Sequence, residues 1–506
     1  MKKSTFTAVI LIISVILAFS SCSAGLIAHK SENTGTDMDR NNFPGGNNPQ
    51  YTEEAEITSE RYHEIEESPA ILTAEETTAT LSLKVDTAAY SNIARIINNG
   101  QRPPADAVRT EEMINYFSYE GELENAGGPF YMRTEIGASP FGGQKHMAFI
   151  RVKTPDIDKS DMPYNNLTFL IDTSGSMDSY DKLPLLKSAF RLLVETLDEN
   201  DRVSIVTYAG SSTVALDSVS GGDKGRIIDA IDTLSASGST AGANGIETAY
   251  ELASKNFKSK GNNRIILASD GDFNVGISDT KKLERFISEK RDSGIYLSIL
   301  GFGTGNLRDD IMETLSKSGN GNYSYIDSLQ TARKVLVKEM GANLITVADD
   351  VKAQVVFNSE TVKSYRLIGY ENRMLQNEEF NDDKKDAGEI GAGSDVVIMF
   401  ELELHGNAAN GGSELFSVNI RYKDPGQSES KLIGKSISGQ QITKDTSSDY
   451  NFACSVAVFG HLLRNSKSTG SATISTAVSL AQNNLGTDKD GYRKEYLELL
   501  KKYSRM

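Results

Sequence analysis

Apolar and polar residues fall into blocks along this chain, and the spacing within the blocks changes from one region to the next. Between Asn166 and about Leu344, short and nearly unbroken apolar runs alternate with stretches whose apolar positions recur every three or four residues. The runs are LTFLID from Leu167, RVSIVTYA at 202–209, RIILAS at 264–269 and IYLSILGF at 295–302. Continuous apolar runs are the mark of strands buried on both faces, and the longer spacing is that of amphipathic helices. Helices are expected over 183–197, 224–233, 244–256, 281–291 and 308–318, with a closing helix over 329–342. Such alternation predicts an α/β fold: a Rossmann-like, mostly parallel sheet with helices on both faces. Two further short strands fit, at 213–217 as an antiparallel edge and at 322–326.

On either side of this region the spacing shortens to two. Strands are expected at 130–135 and 146–152 before it, and at 347–358, 362–370, 395–404 and 414–422 after it, with NDDKKD (381–386) as a charged turn. Together they suggest a β-sandwich into which the α/β domain is inserted. Ahead of these strands, a short strand near Leu81, a helix over 88–98, a break at Pro103-Pro104 and a second helix over 106–117, capped by Asp106, complete an N-terminal flank. Amphipathic spacing returns from about Asn451 to Tyr503, as two or three helices best read as a packing module. The expected division is 81–160, 161–344, 345–445 and 446–506, which suits a chain of 506 residues, too long for one core.

The start of the chain differs from all of this. Lys2-Lys3 followed by an apolar core over 8–19 has the form of an export signal and is short for a membrane span. Phe19-Ser20-Ser21-Cys22 then resembles a bacterial lipoprotein cleavage box, which implies residues 1–22 as signal peptide and Cys22 as the lipidated anchor. Residues 23–80 are poor in apolar residues and read as a disordered acidic tether. Twelve acids against two bases between Ser31 and Thr80 account for −10 of the formal net charge of −16. That balance argues against a phosphate-binding or nucleic-acid surface. Cys454, within FACSVAVF, is left without an internal partner and reads as a small buried side chain.

Candidate chemistry concentrates where LTFLID breaks into a hydroxyl-rich turn. Asp172, Ser174 and Ser176 sit at the end of a buried strand, where open α/β sheets place ligands. Thr240, in the loop ASGSTAGANG, and Asp270, directly after RIILAS, fall where the architecture brings them to the same sheet edge. Asp272 nearby reads as a solvated turn acid. The set Asp172, Ser174, Ser176, Thr240 and Asp270 resembles the metal-ion-dependent adhesion site of von Willebrand factor type A domains. The resemblance implies Mg²⁺, with Mn²⁺ or Ca²⁺ as alternative ions. It also implies direct ligation by Ser174, Ser176 and Thr240, and roles through water for Asp172 and Asp270. Mg²⁺ takes octahedral oxygen donors and retains waters. Neutral hydroxyls leave most of its charge uncompensated, so a carboxylate from outside completes the shell.

The flanks extend the likeness. VDTAAYSNIARIINNGQRPPADAVRTEEMINYF, RLIGYENRML, DAGEIGAGSDV and the stretch from FACSVAVFGHLLR to GYRKEYLELLKKY are similar to those of a bacterial family of lipoproteins. In that family a von Willebrand A domain lies between characteristic flanking regions.

Catalytic patterns are weak. The five histidines are scattered without HExxH spacing, and neither a P-loop nor GxSxG occurs. Gly301-Phe302-Gly303-Thr304-Gly305 reads as a strand-end loop shaping the rim of the metal face. The acid pairs Glu111-Glu112 and Asp309-Asp310 read as helix-surface or helix-start charges. The sequence therefore predicts a non-enzymatic protein of the bacterial cell envelope, lipid-anchored to a membrane and facing outside the cytoplasm. Its expected ligand is a protein partner that presents Asp or Glu to the metal. The alternatives are a structural scaffold with a fold-stabilising ion and, behind it, a metal-dependent hydrolase.

Overall fold

The strand Asn165–Asp172 is buried along its whole length because its two faces are covered by separate cores. Leu167, Phe169 and Ile171 point into one and Leu170 into the other. The neighbouring strands divide in the same way, with Ile266 and Ala268 on one side and Ile265 and Leu267 on the other. This is why the sequence shows unbroken apolar runs instead of alternation. Around it stands a six-stranded sheet in the spatial order Asn320–Ile326, Ile295–Phe302, Asn262–Ser269, Asn165–Asp172, Arg202–Tyr208, Ser212–Ser220. All neighbours are parallel except the last pair, so the edge strand expected at 213–217 is present, antiparallel and longer. The order is that of a doubly wound sheet, whose direction of winding reverses between Asn165–Asp172 and Asn262–Ser269. Those two strands end at Asp172 and just before Asp270.

The computed structural model describes residues 59–158, 162–238, 243–271, 280–339, 344–406, 408 and 412–506. The signal segment, Cys22, Thr240 and Asp272 lie outside them.

Strands from both sides of the α/β domain pair with one another. His146–Lys153 pairs antiparallel with Asp395–Leu404, and Thr78–Ser82 with Thr346–Phe357. The two resulting antiparallel sheets enclose a shared apolar core that includes Ala148, Ile150, Ile398, Phe400, Val355 and Phe416. Alternate residues of the same strands, Met147, Phe149, Val397 and Met399, face the opposite way, into a layer of helices. That layer combines Ala88–Asn98 and Thr110–Asn115 with Ser448–Leu463, Ile474–Asn483 and Tyr492–Tyr503. Cys454 is buried there, and burial pushes its thiol up to about 12. Among the strands that escaped the sequence pattern, Ser430–Ser438 is an edge strand whose Lys431 and Ser436 face solvent.

Three expectations change. The tether was read to Thr80, yet residues from 59 onward are held by the folded body. Ser59 N donates to Gly305 O at 2.9 Å and Arg61 N to Leu307 O at 2.9 Å, and Ile71–Leu72 forms a strand against Val362–Leu367. Backbone pairing needs no apolar side chain, which is why composition did not announce it. Asp106 does not cap a long helix. It sits in a 3-10 turn, Ala105–Ala107, and accepts from Ile65 N at 3.3 Å, while the following α-helix is only Thr110–Asn115. The closing helix is α-helical over Leu329–Arg333 and continues as a π-helical turn over Lys334–Lys338.

The acid pairs are also reassigned. Glu111, Glu112 and Asp309 do stand in first helical turns, but all three are buried, because the helix Thr110–Asn115 is enclosed by the sandwich, the helical layer and the α/β domain. Only Asp310 stays at the partly exposed surface, paired with Arg308 at 3.1 Å. Glu111 Oε2 has no hydrogen-bond partner among the described residues. Burial, with the charge of Glu371 added, raises its carboxyl to about 7. A carboxyl raised above its unfolded value binds more protons in the native state, so its contribution is present at low pH and lost as pH climbs through the native value. Glu111→Gln is therefore expected to leave stability near that of the parent at pH 5 and to raise it by roughly 1–2 kcal/mol at pH 8. Urea unfolding at the two pH values measures this, and an equal effect at both would contradict it.

Candidate metal centre

The candidate turn follows directly from the strand that carries it. Asp172, the last residue of Asn165–Asp172, is fully buried, and its Oδ1 accepts from Ser174 N at 2.9 Å, closing an Asx turn. Its Oδ2 accepts from Ser269 Oγ at 3.2 Å, which ties it to the end of the neighbouring strand. Beyond the turn, Gly175–Asp178 forms a 3-10 turn, and the helix Leu183–Thr196 carries the chain back across the sheet. Ser174 is buried and Ser176 exposed, and their Oγ atoms stand 3.0 Å apart. Ser237 N donates to Thr173 O at 2.8 Å and Gly175 N to Gly238 O at 3.1 Å, so the segment just before Thr240 is fastened to the same turn.

Asp270 lies across the winding reversal from Asp172, also fully buried. Its Oδ2 accepts from Lys182 Nζ at 2.8 Å, and Asn306 and Ser176 add further hydrogen bonds. Gly271, at φ +97°, abuts the loop 305–308 so closely that a Cβ would lie 2.4 Å from Arg308 N. The Gly301–Gly305 motif ends the strand Ile295–Phe302 and forms this rim, the position the sequence suggested for it.

The two carboxylates differ electrostatically. Burial pushes the Asp172 carboxyl up to about 6, against the hydrogen bonds from Ser174 and Ser269 and with the charge of Asp270 adding to the rise. Burial acts on Asp270 in the same direction, but the hydrogen bond and charge of Lys182, together with hydrogen bonds from Asn306 and Ser176, outweigh it and hold that carboxyl below its usual range.

The donor set suits a hard divalent cation. Mg²⁺–oxygen bonds of about 2.0–2.1 Å place adjacent octahedral ligands about 3.0 Å apart, and Ser174 Oγ and Ser176 Oγ, hydrogen-bonded to each other at 3.0 Å, are compatible with that spacing. Among the described residues, no three His, Cys, Asp or Glu side chains come together as a metal cluster. The candidate donors are instead mainly hydroxyls. Four of the five sequence-predicted residues are thus in the described structure, and Asp172, Ser174, Ser176 and Asp270 converge on one edge. Sequence reasoning missed Lys182, Ser269 and Asn306. Only Lys182 gave a signal, as a base placed directly before an apolar helix face beginning at Leu183.

The fold and this edge define a von Willebrand factor type A protein, and family models agree. Residues 166–338 match the von Willebrand factor type A domain and residues 56–148 match a model described as von Willebrand factor. Residues 342–506 match a model described as uncharacterized protein YfbK, C-terminal. The chain belongs to the YfbK family of bacterial von Willebrand factor type A proteins, being 42% identical over 463 residues to YfbK of Escherichia coli (strain K12), across 87% of this chain and 80% of that protein. Protein sll0103 of Synechocystis is 26% identical over 290 residues, covering 56% of this chain and 67% of its own. Among solved structures, a von Willebrand factor type A protein from Catenulispora acidiphila aligns with 75% of this chain and 91% of its own at 16% identity, with a TM-score of 0.41.

Proposed function

We propose that this protein is a non-enzymatic envelope lipoprotein, anchored at Cys22, that captures a protein partner through a Mg²⁺-dependent adhesion site. The observation that carries the reading is the pair of serine hydroxyls at octahedral spacing beside two buried aspartates at the winding reversal of the sheet. Ser174 and Ser176 would hold the ion directly, with Thr240 as the third hydroxyl, and Asp172 and Asp270 would act through water. An ion held mainly by neutral oxygens supplies a strongly electropositive coordination position that suits a carboxylate oxygen. Asp172, fixed by Ser174 N and Ser269 Oγ, keeps the turn in the conformation that aims both serines the same way. Among the described residues, no helix is long and apolar enough to cross a membrane, so membrane attachment in this reading rests on the lipid at Cys22.

Two measurements test it. Titration calorimetry with Mg²⁺ is expected to give a single site that Asp172→Ala weakens about 10- to 100-fold. Selection from a displayed peptide library in Mg²⁺ is expected to return sequences whose binding disappears in EDTA and on changing Asp to Asn or Glu to Gln. Peptides that bind equally in EDTA would sink the reading. If instead Asp172→Ala lowered thermal stability while metal-dependent capture stayed intact, the site would be a structural ion site.

A further inference from the structure

Lys182 is the charged group at the metal edge for which the proposed function has assigned no task. Its side chain is 9% exposed, and its ammonium is 2.8 Å from Asp270 Oδ2 and 3.3 Å from Asn306 Oδ1. The position is built rather than incidental. Leu186 N donates to Lys182 O at 2.8 Å, fixing the backbone at the start of the helix Leu183–Thr196, whose Leu183, Leu186 and Phe190 are buried in the core. The stem then runs beneath Gly303, where a Cβ would come within 2.3 Å of Lys182 Cε and 2.4 Å of Cγ. Gly303 adopts φ +74°, so this position demands glycine both for its backbone and for the room it leaves the lysine. Among the described residues Asp172 has no ammonium or guanidinium at ion-pair distance: its Oδ1 accepts from Ser174 N and its Oδ2 from Ser269 Oγ, with the Tyr208 hydroxyl beside it.

We propose that Lys182 is a positioning residue that tunes the adhesion site toward partner capture at the expense of metal retention. This rests on the Mg²⁺-site reading above. The ammonium holds Asp270 Oδ2 turned toward the Gly303–Asn306 rim and cancels its charge. A divalent ion at Ser174 and Ser176 then faces one uncompensated aspartate, Asp172, instead of two. The electrostatic attraction not spent on protein carboxylates stays available for a carboxylate arriving from outside, because opposite charges interact strongly in a water-poor site. Without the lysine charge, Asp270 is released to approach the ion. The ion is then held more tightly in the absence of a partner and is less electropositive toward one.

The test uses the full chain and four proteins: the parent, Lys182→Gln, Lys182→Met and Lys182→Arg. Glutamine keeps a hydrogen-bond donor for Asp270 while removing the charge, so it carries the comparison if the methionine variant fails to fold. Mg²⁺ affinity is measured by calorimetry. Mn²⁺, as a paramagnetic stand-in, reports the number of bound waters through water-proton relaxation, and acetate is titrated as the carboxylate probe. The neutral variants are expected to bind Mg²⁺ on the order of tenfold more tightly than the parent. They should also lose bound water and respond to acetate only at higher concentration. The arginine variant should resemble the parent, since a purely steric role would not be rescued by charge. Unchanged or weaker Mg²⁺ binding by Lys182→Gln, with an unchanged water count, would overturn the assignment of Lys182 while leaving the metal site standing. No Mg²⁺ binding by the parent or any variant would overturn the metal-site reading itself and this inference with it.

Discussion

Replacing Arg109 by methionine is expected to cost roughly 3–5 kcal/mol of stability, the range found when one member of a buried ion pair is removed. Arg109 is 2% exposed and joins two parts of the molecule. Its Nε donates to Glu112 Oε1 at 2.6 Å within the N-terminal flank. Its two terminal nitrogens grip Asp309, at the start of the helix Asp309–Ser318 of the α/β domain, at 2.6 and 3.1 Å. Glu313 Oε2 lies 3.9 Å away. Methionine fills much of the volume but leaves three carboxylates in the interior without the guanidinium that neutralises them.

The pH dependence follows with a definite sign. Burial already raises the Glu112 carboxyl to about 8 despite Arg109, whereas at Glu313 the charges of Arg109 and Arg373 overcome burial and keep the carboxyl below its usual range. Removing Arg109 pushes both upward. The native variant then binds more protons than its unfolded chain, so the deficit grows as pH rises. Denaturant titrations at pH 5 and pH 8 should show a larger loss at pH 8. A loss below about 1 kcal/mol at both, the value of a surface pair, would mean that the cluster does not join the two parts energetically.

Tyr496→Ala is expected to lose about 3–5 kcal/mol, as large-to-small changes of buried aromatic residues do. Tyr496 is fully buried in the C-terminal helix Tyr492–Tyr503. Its ring centroid lies 5.4 Å from those of Phe117 and Phe452, 6.0 Å from Phe459 and 6.3 Å from Tyr90. Two of these rings come from the N-terminal flank and two from the helix Ser448–Leu463, so truncation opens a cavity between segments far apart in sequence. Tyr496→Phe removes only the hydroxyl contact to Ser455 Oγ at 3.1 Å and should cost about 0.5–1.5 kcal/mol. Comparable small losses for both variants in thermal and urea unfolding would show the C-terminal helices to be a separable appendage.

How much was legible beforehand depended on which side of each element meets apolar neighbours. The helix Ala88–Asn98 and the strand Asp395–Leu404 have the bounds the pattern predicted. The first is buried over nine of its 11 residues, and the second is covered on both faces. At the site, Asp172, Ser174 and Ser176 were legible because one turn carries all three, and Asp270 because it ends an apolar strand. Lys182 was not, since its partner lies 88 positions away and only the winding of the sheet brings the two together. Glu111, Glu112 and Asp309 misled for the same reason. A carboxylate reads as surface until the elements that cover it are known, and periodicity within one helix contains no information about them.

The sequence by itself determined the alternation of strand and helix and the sheet edge to which Asp172, Ser174, Ser176 and Asp270 come. These follow from local spacing, since a buried strand must be apolar and its end must be where polar groups emerge. Strands on either side of the α/β domain were expected to form one sandwich, and the tertiary structure pairs them directly. It alone showed that the N-terminal and C-terminal helices share one core, and that a lysine stands between the two aspartates and an even division of their charge. Each of these depends on groups distant in sequence meeting where water is excluded, and there a single ammonium or guanidinium changes what its neighbours can do.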